Sequence, residues 1–360
     1  MTATIPPTTR ALVYISKGLA EIRTVPTPTL PPTHLLIKPS FVALNPTDWK
    51  HIDGANTLPG SRVGCDYAGT VVAVGSAVTK PFKVGDRVTG VVHGCDATNL
   101  ESGAFGGLIV AKGDLQIVIP ENLRHAEAAT LGISVATVGQ GLYRTLGLPL
   151  PNTPEASNPS GEERYILIHG GSTATGIYGI QYAGLSGYKV LATSSPHNFD
   201  YLNSLGAEKV FDYESPNVGA EIREYTNNGL KLAWDCTGSG AEIIGNALSS
   251  EGGKYAAIMP VDKSKVDKVN GNLDGPYLTI MYSIFGERYE KFGKVVEAMP
   301  EEYEFAKVFW EVTRELLADD KLKAPRVILN RGSEGLEGVL KGLDELRANK
   351  VSGGKLVYTV

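Results

Sequence analysis

The sequence predicts a two-domain α/β protein: a β-rich portion, then a doubly wound parallel sheet, with the chain returning to the first portion at its end. Three observations carry this. The first third holds many short β-branched runs between Pro and Gly breaks. The middle alternates short apolar runs with helical stretches of about 10 to 13 residues, the signature of a parallel sheet with helices on both faces. Between them lie Pro149, Pro151, Pro154 and Pro159, which break any element and read as a surface loop over residues 147–161 at a domain junction.

Taken in order, strands are expected over residues 9–15, 20–26, 34–43, 69–74, 86–92, 107–111 and 115–119, a pattern suited to a small barrel or curled sheet. A helix-like run follows over residues 125–146. Apolar runs at 165–169, 189–193, 209–211, 231–236 and 254–259 are the strands of the second portion. After a less regular stretch, a helix is expected over 303–318. Residues 326–330, 336–348 and 355–358 read strand–helix–strand. The domains are drawn as 1–158 with 325–360, and 159–324, with the active site in the cleft, as the family resemblance given below implies.

Composition narrows the class. A chain of 360 residues suits two domains. Hydrophobic residues at 42% exclude wholesale disorder. Net charge is -5 with mixed signs and no basic stripe, which argues against nucleic acid. No apolar run reaches the roughly 18 residues of a membrane span. The first residues lack a charged-then-apolar signal pattern, so the cytosol is the expected location. Cys65, Cys95 and Cys236 are scattered without a CxxC pair, so neither a structural zinc nor a disulfide frame is expected. Pro276, near the expected sheet edge, discourages strand pairing between copies and favours a monomer.

The most informative stretch is Tyr165-Ile-Leu-Ile-His-Gly170-Gly-Ser-Thr-Ala-Thr-Gly176: an apolar strand, a Gly/Ser/Thr turn and the start of a helix. Small residues let the backbone approach a pyrophosphate, and the helix N-terminus supplies N–H groups and partial positive charge. Thr173 occupies the middle place where a third glycine is common. Glycine turns between strand and helix are ordinary, so the context carries the reading: a strand before, a helix after, and a second strand about 20 residues on. Ser172, Thr173 and Thr175 add hydroxyls. With no metal motif beside it, the cradle points to hydride transfer by a nicotinamide cofactor alone. At the end of the second strand stand Ser194, Ser195, Pro196, His197 and Asn198, where a carboxylate usually holds the ribose 2′-OH. Hydroxyls, an amide and an imidazole can donate to a 2′-phosphate, so NADPH is favoured over NADH. The same residues also suit a helix cap. Tyr213, after the third strand, can wall the adenine site or reach the phosphate.

Three further stretches identify the company this chain keeps. Leu44-Asn45-Pro46-Thr47-Asp48-Trp49-Lys50 follows a β run. Gly64-Cys-Asp-Tyr-Ala-Gly-Thr-Val-Val-Ala-Val-Gly75 and Val84-Gly-Asp-Arg-Val88 lie beyond. With these the chain resembles the medium-chain dehydrogenase/reductase superfamily over nearly its whole length. The resemblance implies a GroES-like β-rich catalytic domain plus a Rossmann doubly wound parallel-sheet domain. Zinc members carry Cys where this chain has Asn45, Gly-His-Glu where it has Gly64-Cys65-Asp66, and a four-cysteine lobe that is absent here. The chain thus resembles the zinc-free quinone and enoyl reductases.

A closer resemblance rests on Gly170-Gly-Ser-Thr-Ala-Thr, Ser195-Pro-His-Asn-Phe-Asp200, Phe211-Asp-Tyr213, Gly147-Leu-Pro-Leu-Pro151 and Ile284-Phe-Gly-Glu287. These are similar to the trans-acting enoyl reductases of fungal polyketide clusters, the lovastatin-pathway type. That resemblance implies reduction, with NADPH, of an α,β-unsaturated thioester on the acyl carrier domain of a partner polyketide synthase, alone or joined to a nonribosomal peptide synthetase. It implies cofactor contact by Thr47, Asp48, Trp49 and Lys50, and by Ser172, Thr173, Ala174 and Thr175. It extends the contact to Ser195, Pro196, His197, Asn198 and Tyr213, then to Ile258, Met259, Val351 and Ser352. The substrate channel is implied along Ile133, Ser134, Val135, Ala136, Thr137, Val138, Gly139 and Gln140, and near Tyr282, Ser283, Ile284, Phe285 and Gly286.

The chemistry asks for donors fixed near the thioester oxygen, where enolate charge builds, and for a proton at the α-carbon. Lys50 is the expected catalytic residue, by its place in Asn-Pro-x-Asp-x-Lys. A solvated surface lysine is its ordinary alternative. Asp48 is read first as a local cap, and Thr47 and Ser134 as hydroxyl donors. His51 fits a surface place as well as a participating one. Trp49, Tyr277, Tyr282 and Tyr289 suit either an acyl tunnel or the core. Lys263, Lys265 and Lys268 suit either a solvated loop or an acidic carrier protein. Two other functions stand beside the enoyl reductase: a stand-alone quinone or enone reductase, and a non-catalytic cofactor-binding protein.

Overall fold

The computed structural model describes residues 5–54, 56–157, 161–291 and 293–360. It divides into two compact units, Met1–Ile133 with Tyr282–Val360, and Ser134–Met281. Chain exchange thus falls earlier than at 158/159 and 324/325. Of those expected boundaries, the first lies outside the described residues.

The first unit opens with an antiparallel ribbon, β1 (Thr8–Ser16) and β2 (Leu19–Pro26). β3 (His34–Ala43) leads into helix α1 (Pro46–Asp53), which the sequence reading left unassigned. β4 (Asp66–Val74), β5 (Arg87–Val91), β6 (Ile109–Lys112) and β7 (Gln116–Val118) follow, then the single turn α2 (His125–Ala128).

The expected helix over 125–146 is interrupted. Asp66 Oδ1 accepts the Ile133 N–H at 2.7 Å, which anchors the break. The chain then re-enters helix as α3 (Gly132–Val138), widened into a π-turn at Gly139–Thr145. A Cβ on Gly141 would lie 2.4 Å from the Trp234 ring, so that turn is packed directly on β11, described below.

The second unit carries the expected alternation. Its elements are β8 (Tyr165–His169), α4 (Ala174–Leu185), β9 (Lys189–Ser194), α5 (Phe199–Ser204), β10 (Ala207–Asp212) and α6 (Val218–Tyr225). β11 (Leu232–Asp235), α7 (Ala241–Ala247), β12 (Gly253–Ala257), α8 (Lys263–Asp267) and β13 (Leu273–Leu278) complete it. All pairings are parallel, in the order β10-β9-β8-β11-β12-β13. The order reverses between β9-β8 and β11, the topological switch at which doubly wound sheets take ligands. Leu167, Leu191, Ile222, Leu230, Ile244 and Tyr255 fill the core of this unit. β13 is its edge strand and includes Pro276, as expected.

The chain re-enters the first unit through the hairpin β14 (Tyr289–Lys291) and β15 (Lys294–Val296), then α9 (Pro300–Ala318). β16 (Arg326–Leu329), α10 (Gly335–Arg347) and β17 (Gly354–Thr359) close it. β17 pairs antiparallel with β3 and parallel with β16, so the chain's end is woven into the sheet β16-β17-β3-β4-β5-β7. Leu35, Ile37, Tyr67, Phe105, Leu343, Leu356 and Tyr358 share its core.

One ion pair locks this closure. Lys355 Nζ, 2% exposed, lies 2.5 Å from Oδ2 of the fully buried Asp66 and donates to Thr130 O at 3.0 Å. Breaking such a pair strands a charge in low dielectric. Lys355→Met is expected to cost about 3–5 kcal/mol of stability, read as a lower denaturant midpoint. Adding Asp66→Asn is expected to recover much of that loss.

Candidate active site

Two sets of functional residues emerge, one in each unit. The first is the turn between β8 and α4. Gly170 has φ +77, and a Cβ there would lie 2.5 Å from Thr237 Cγ2. A Cβ on Gly176 would lie 2.3 Å from Gly170 O. The turn is therefore closed to side chains at both ends. Thr173 Oγ1 donates to Gly170 O (2.8 Å) and accepts the Gly176 N–H (2.9 Å), capping α4. Thr173 thus does structural work in the middle place of the motif. Ser172, Ala174 and Thr175 are half-buried around it. The first N–H groups of a helix lack acceptors within it, and this N-terminus fits a phosphate. The cradle fits the pyrophosphate of a dinucleotide.

At the end of β9, Ser195 Oγ donates to Tyr213 Oη (3.2 Å), and Asn198 Nδ2 lies 3.1 Å from His197 Nε2. Ser195, His197, Asn198 and Tyr213 thus form one small polar group without a carboxylate of their own, and Pro196 starts the short helical turn that holds them. Ile258 and Met259, half-buried, follow β12. Asp235, at the end of β11, is fully buried and accepts from the N–H groups of Thr237, Gly238 and Gly240 at 2.8 Å each and from Tyr255 Oη at 3.0 Å. This holds the loop that faces Gly170.

The second set surrounds α1. The Asn45 N–H donates to Asp48 Oδ2 at 2.7 Å, so Asp48 caps the helix. Asp48 is 0% exposed, and its Oδ1 lacks a hydrogen-bond partner among the described residues, as does Asn45 Nδ2. This burial turns the Asp48 side chain into the fold. Burial first, and then the Asp66 carboxylate, push Asp48 up to about 7. Lys50 is exposed, with Nζ 5.7 Å from the Trp49 ring, and the protein around its stem lowers its pKa.

Thr47 Oγ1 lies 2.8 Å from Tyr282 Oη. An expected cofactor residue and an expected substrate residue are therefore in hydrogen-bond contact. His51 is not a solvated surface group: its Nε2 meets Lys291 Nζ and lies 3.5 Å from Tyr282 Oη. His93 stacks on Phe285 (5.5 Å between centroids) and tilts against Tyr282 (4.4 Å). Its Nδ1 is 3.5 Å from Asp96 Oδ2.

Other expected residues are distributed between the units. Ile133 is the last residue of the first unit, and Ser134, Val135, Ala136, Thr137, Val138, Gly139 and Gln140 open the second, all buried. Tyr282, Ser283, Ile284 and Phe285 are buried in the first unit, with Gly286 half-buried. Val351 is half-buried and Ser352 exposed ahead of β17. Tyr277 is 41% exposed on the edge strand β13 of the second unit, and Tyr282 and Tyr289 lie 6.2 Å apart between ring centroids in the first. Asp262 caps α8 and Lys263 pairs with Asp267 at 2.7 Å, so the lysine-rich stretch is a short capped helix. Among the described residues, no three His, Cys, Asp or Glu side chains are grouped to hold a metal ion.

The sequence reading missed His93, Asp96 and Lys291. Lys291 lies 240 residues from His51, and no local pattern marks their meeting.

Fold and cradle together define a dehydrogenase/reductase of the medium-chain class. Residues 31–121 match the alcohol dehydrogenase GroES-like domain, and residues 174–299 match the zinc-binding dehydrogenase family. The chain is 41% identical to trans-enoyl reductase ACTTS2 of Alternaria alternata, covering 98% of this chain and 99% of that protein. It is 46% identical to trans-enoyl reductase TOXD of Cochliobolus carbonum, covering 76% and 89%. Among solved structures, the CurK enoyl reductase shares the fold with a TM-score of 0.74 at 19% identity, covering 98% and 99%. The NADPH complex of mycobacterial Rv1454c shares it at 0.72 and 20%, covering 98% and 100%. The chain belongs to the trans-enoyl reductase family.

Two outcomes follow from this geometry. An unfolded aspartate titrates near 3.8 and folded Asp48 near 7, so stability falls as pH rises through that window. Asp48→Asn is expected to raise stability near pH 8, by roughly 4 kcal/mol at most, and to change it little near pH 4. Melting temperatures at the two pH values check this. Gly176→Ala forces the turn open and is expected to weaken binding of a nicotinamide dinucleotide by about tenfold or more, equivalent to 1.4 kcal/mol, measured by calorimetric titration.

Proposed function

We propose that the chain is a trans-acting enoyl reductase that uses NADPH to reduce an α,β-unsaturated polyketide thioester on the acyl carrier domain of a partner synthase. The observation that carries this is the match to proteins named trans-enoyl reductases across almost the full length of both chains. The cradle at Gly170–Gly176 and the carboxylate-free group at the end of β9 support the cofactor choice.

NADPH, when bound, supplies the hydride that reaches the β-carbon. The chain's own residues do the rest. Ser172, Ala174 and Thr175 present backbone N–H groups, and Ser172 and Thr175 hydroxyls, to the pyrophosphate, on the turn that Thr173 holds in shape. Ser195, His197, Asn198 and Tyr213 hold the 2′-phosphate by charge-assisted hydrogen bonds. Thr47 and Tyr282 form a fixed hydroxyl pair for the substrate. Groups fixed before reaction serve the developing enolate without reorganising. Lys50, with its lowered pKa, adds positive charge nearby. The protein works as a cytosolic monomer.

The direct test follows NADPH absorbance with pantetheine-linked enoyl thioesters and, separately, with quinones. Thioester turnover with slow or no quinone turnover is expected. Robust quinone turnover without thioester turnover overturns the assignment.

A further inference from the structure

A row of four side chains runs beside α1. Thr47 Oγ1 is 2.8 Å from Tyr282 Oη, Tyr282 Oη is 3.5 Å from His51 Nε2, and Lys291 Nζ meets that same nitrogen. Lys291 Nζ also lies 4.2 Å from the Tyr282 ring centroid. The first two residues belong to the expected site. The last two have no role in the function argued above.

The surroundings of Lys291 are unusual for a lysine. From α1, Asp48, Lys50 and His51 act on it; Cys65 does so from the residue ahead of β4. Cys95 acts from the loop after β5, where His93 is influenced by Lys291 in turn. Tyr282 faces it from the segment ahead of β14. The other carboxylates of the neighbourhood are engaged: Asp96 faces His93, Glu287 pairs with Lys112 at 2.6 Å, and Asp66 pairs with Lys355. Among the described residues, no carboxylate lies within ion-pair distance of Lys291. Its hydrogen-bond acceptor is an imidazole that burial, and then Lys291 itself, hold well below the ordinary histidine range. Burial pulls Lys291 down to about 8, and Lys50 pushes the same way against Cys65, Cys95 and Asp48. An ammonium so placed gives up a proton near neutral pH.

We propose that Lys291 is the proton reservoir for the reduction, serving the substrate α-carbon through His51, Tyr282 and Thr47. This rests on the enoyl-reductase reading. The step balances. Hydride addition leaves the substrate as an enolate, whose electron pair forms the new α-C–H bond with the proton of the Thr47 hydroxyl. Lys291 first gives a proton to the lone pair of His51 Nε2, and the Nε2–H so formed passes to Tyr282 Oη as Tyr282 gives its own proton to Thr47. Lys291 is left as a neutral amine and is recharged by water. Burial raises the Tyr282 phenol well above its ordinary value, so Tyr282 passes charge on and does not store it. The 3.5 Å separation is at the outer limit of a hydrogen bond, as is common for proton-transfer contacts before substrate binds. Lys291 and His51 act through other groups and are positioning residues.

The test compares the native protein with Lys291→Arg and Tyr282→Phe, using a pantetheine-linked enoyl thioester and saturating NADPH across pH 6 to 9.5. The native kcat is expected to fall above about pH 8, where Lys291 loses its proton. Arginine keeps the charge but does not release a proton in this range. Lys291→Arg is therefore expected to lose the alkaline limb and to lower kcat by about 10²-fold or more, with KM nearly unchanged. Tyr282→Phe breaks the row further along and is expected to do the same. NADPH titration and melting temperature establish that each variant is folded, and Tyr282→Phe decides the matter if Lys291→Arg is not. Retention of native kcat and its alkaline limb in a folded variant overturns the reservoir alone. Absence of thioester turnover in the native protein overturns the enoyl-reductase reading itself.

Discussion

The buried contact between Asp66 and Lys355 is the constraint from which the first unit takes its form. It joins residues 289 apart in sequence, and neither group can be left alone without stranding a charge. The same carboxylate accepts the Ile133 N–H, so it also fixes where the chain leaves for the second unit. Its field adds to the burial of Asp48 and helps hold that side chain near neutrality. The start of α1, and with it Thr47, Lys50 and His51, is set by Pro46 and the Asp48 cap.

The second unit achieves its site by exclusion. Gly170 and Gly176 approach other atoms so closely that a single methyl group does not fit. Thr173 shows how a missing glycine is accommodated: its hydroxyl ties the turn to Gly170 and caps α4 in one stroke. At the end of β9, the residues that start a helical turn also hydrogen-bond among themselves and to Tyr213.

Much of this was legible in the sequence because it is local. Strand, turn and helix at 165–185 follow from an apolar run, small residues and a hydroxyl cap. The parallel alternation follows from short apolar runs of regular spacing. Residues 125–146 were misread as one helix because the acceptor that interrupts them, Asp66, lies far away in sequence. α1 was missed because its apolar positions are few; its start is set by Pro46 and the Asp48 cap. Lys291 carries no signal of its own in the sequence, and its chemistry exists only through burial beside His51 and Tyr282.

The central claim is that this chain grips a phosphorylated adenosine ribose with hydroxyls, an amide and an imidazole at the end of β9. Calorimetric titration of the native protein with NADPH and with NADH tests it most directly. NADPH is expected to bind tighter by about tenfold or more, a difference of 1.4 kcal/mol. Equal affinity for the two cofactors would contradict it.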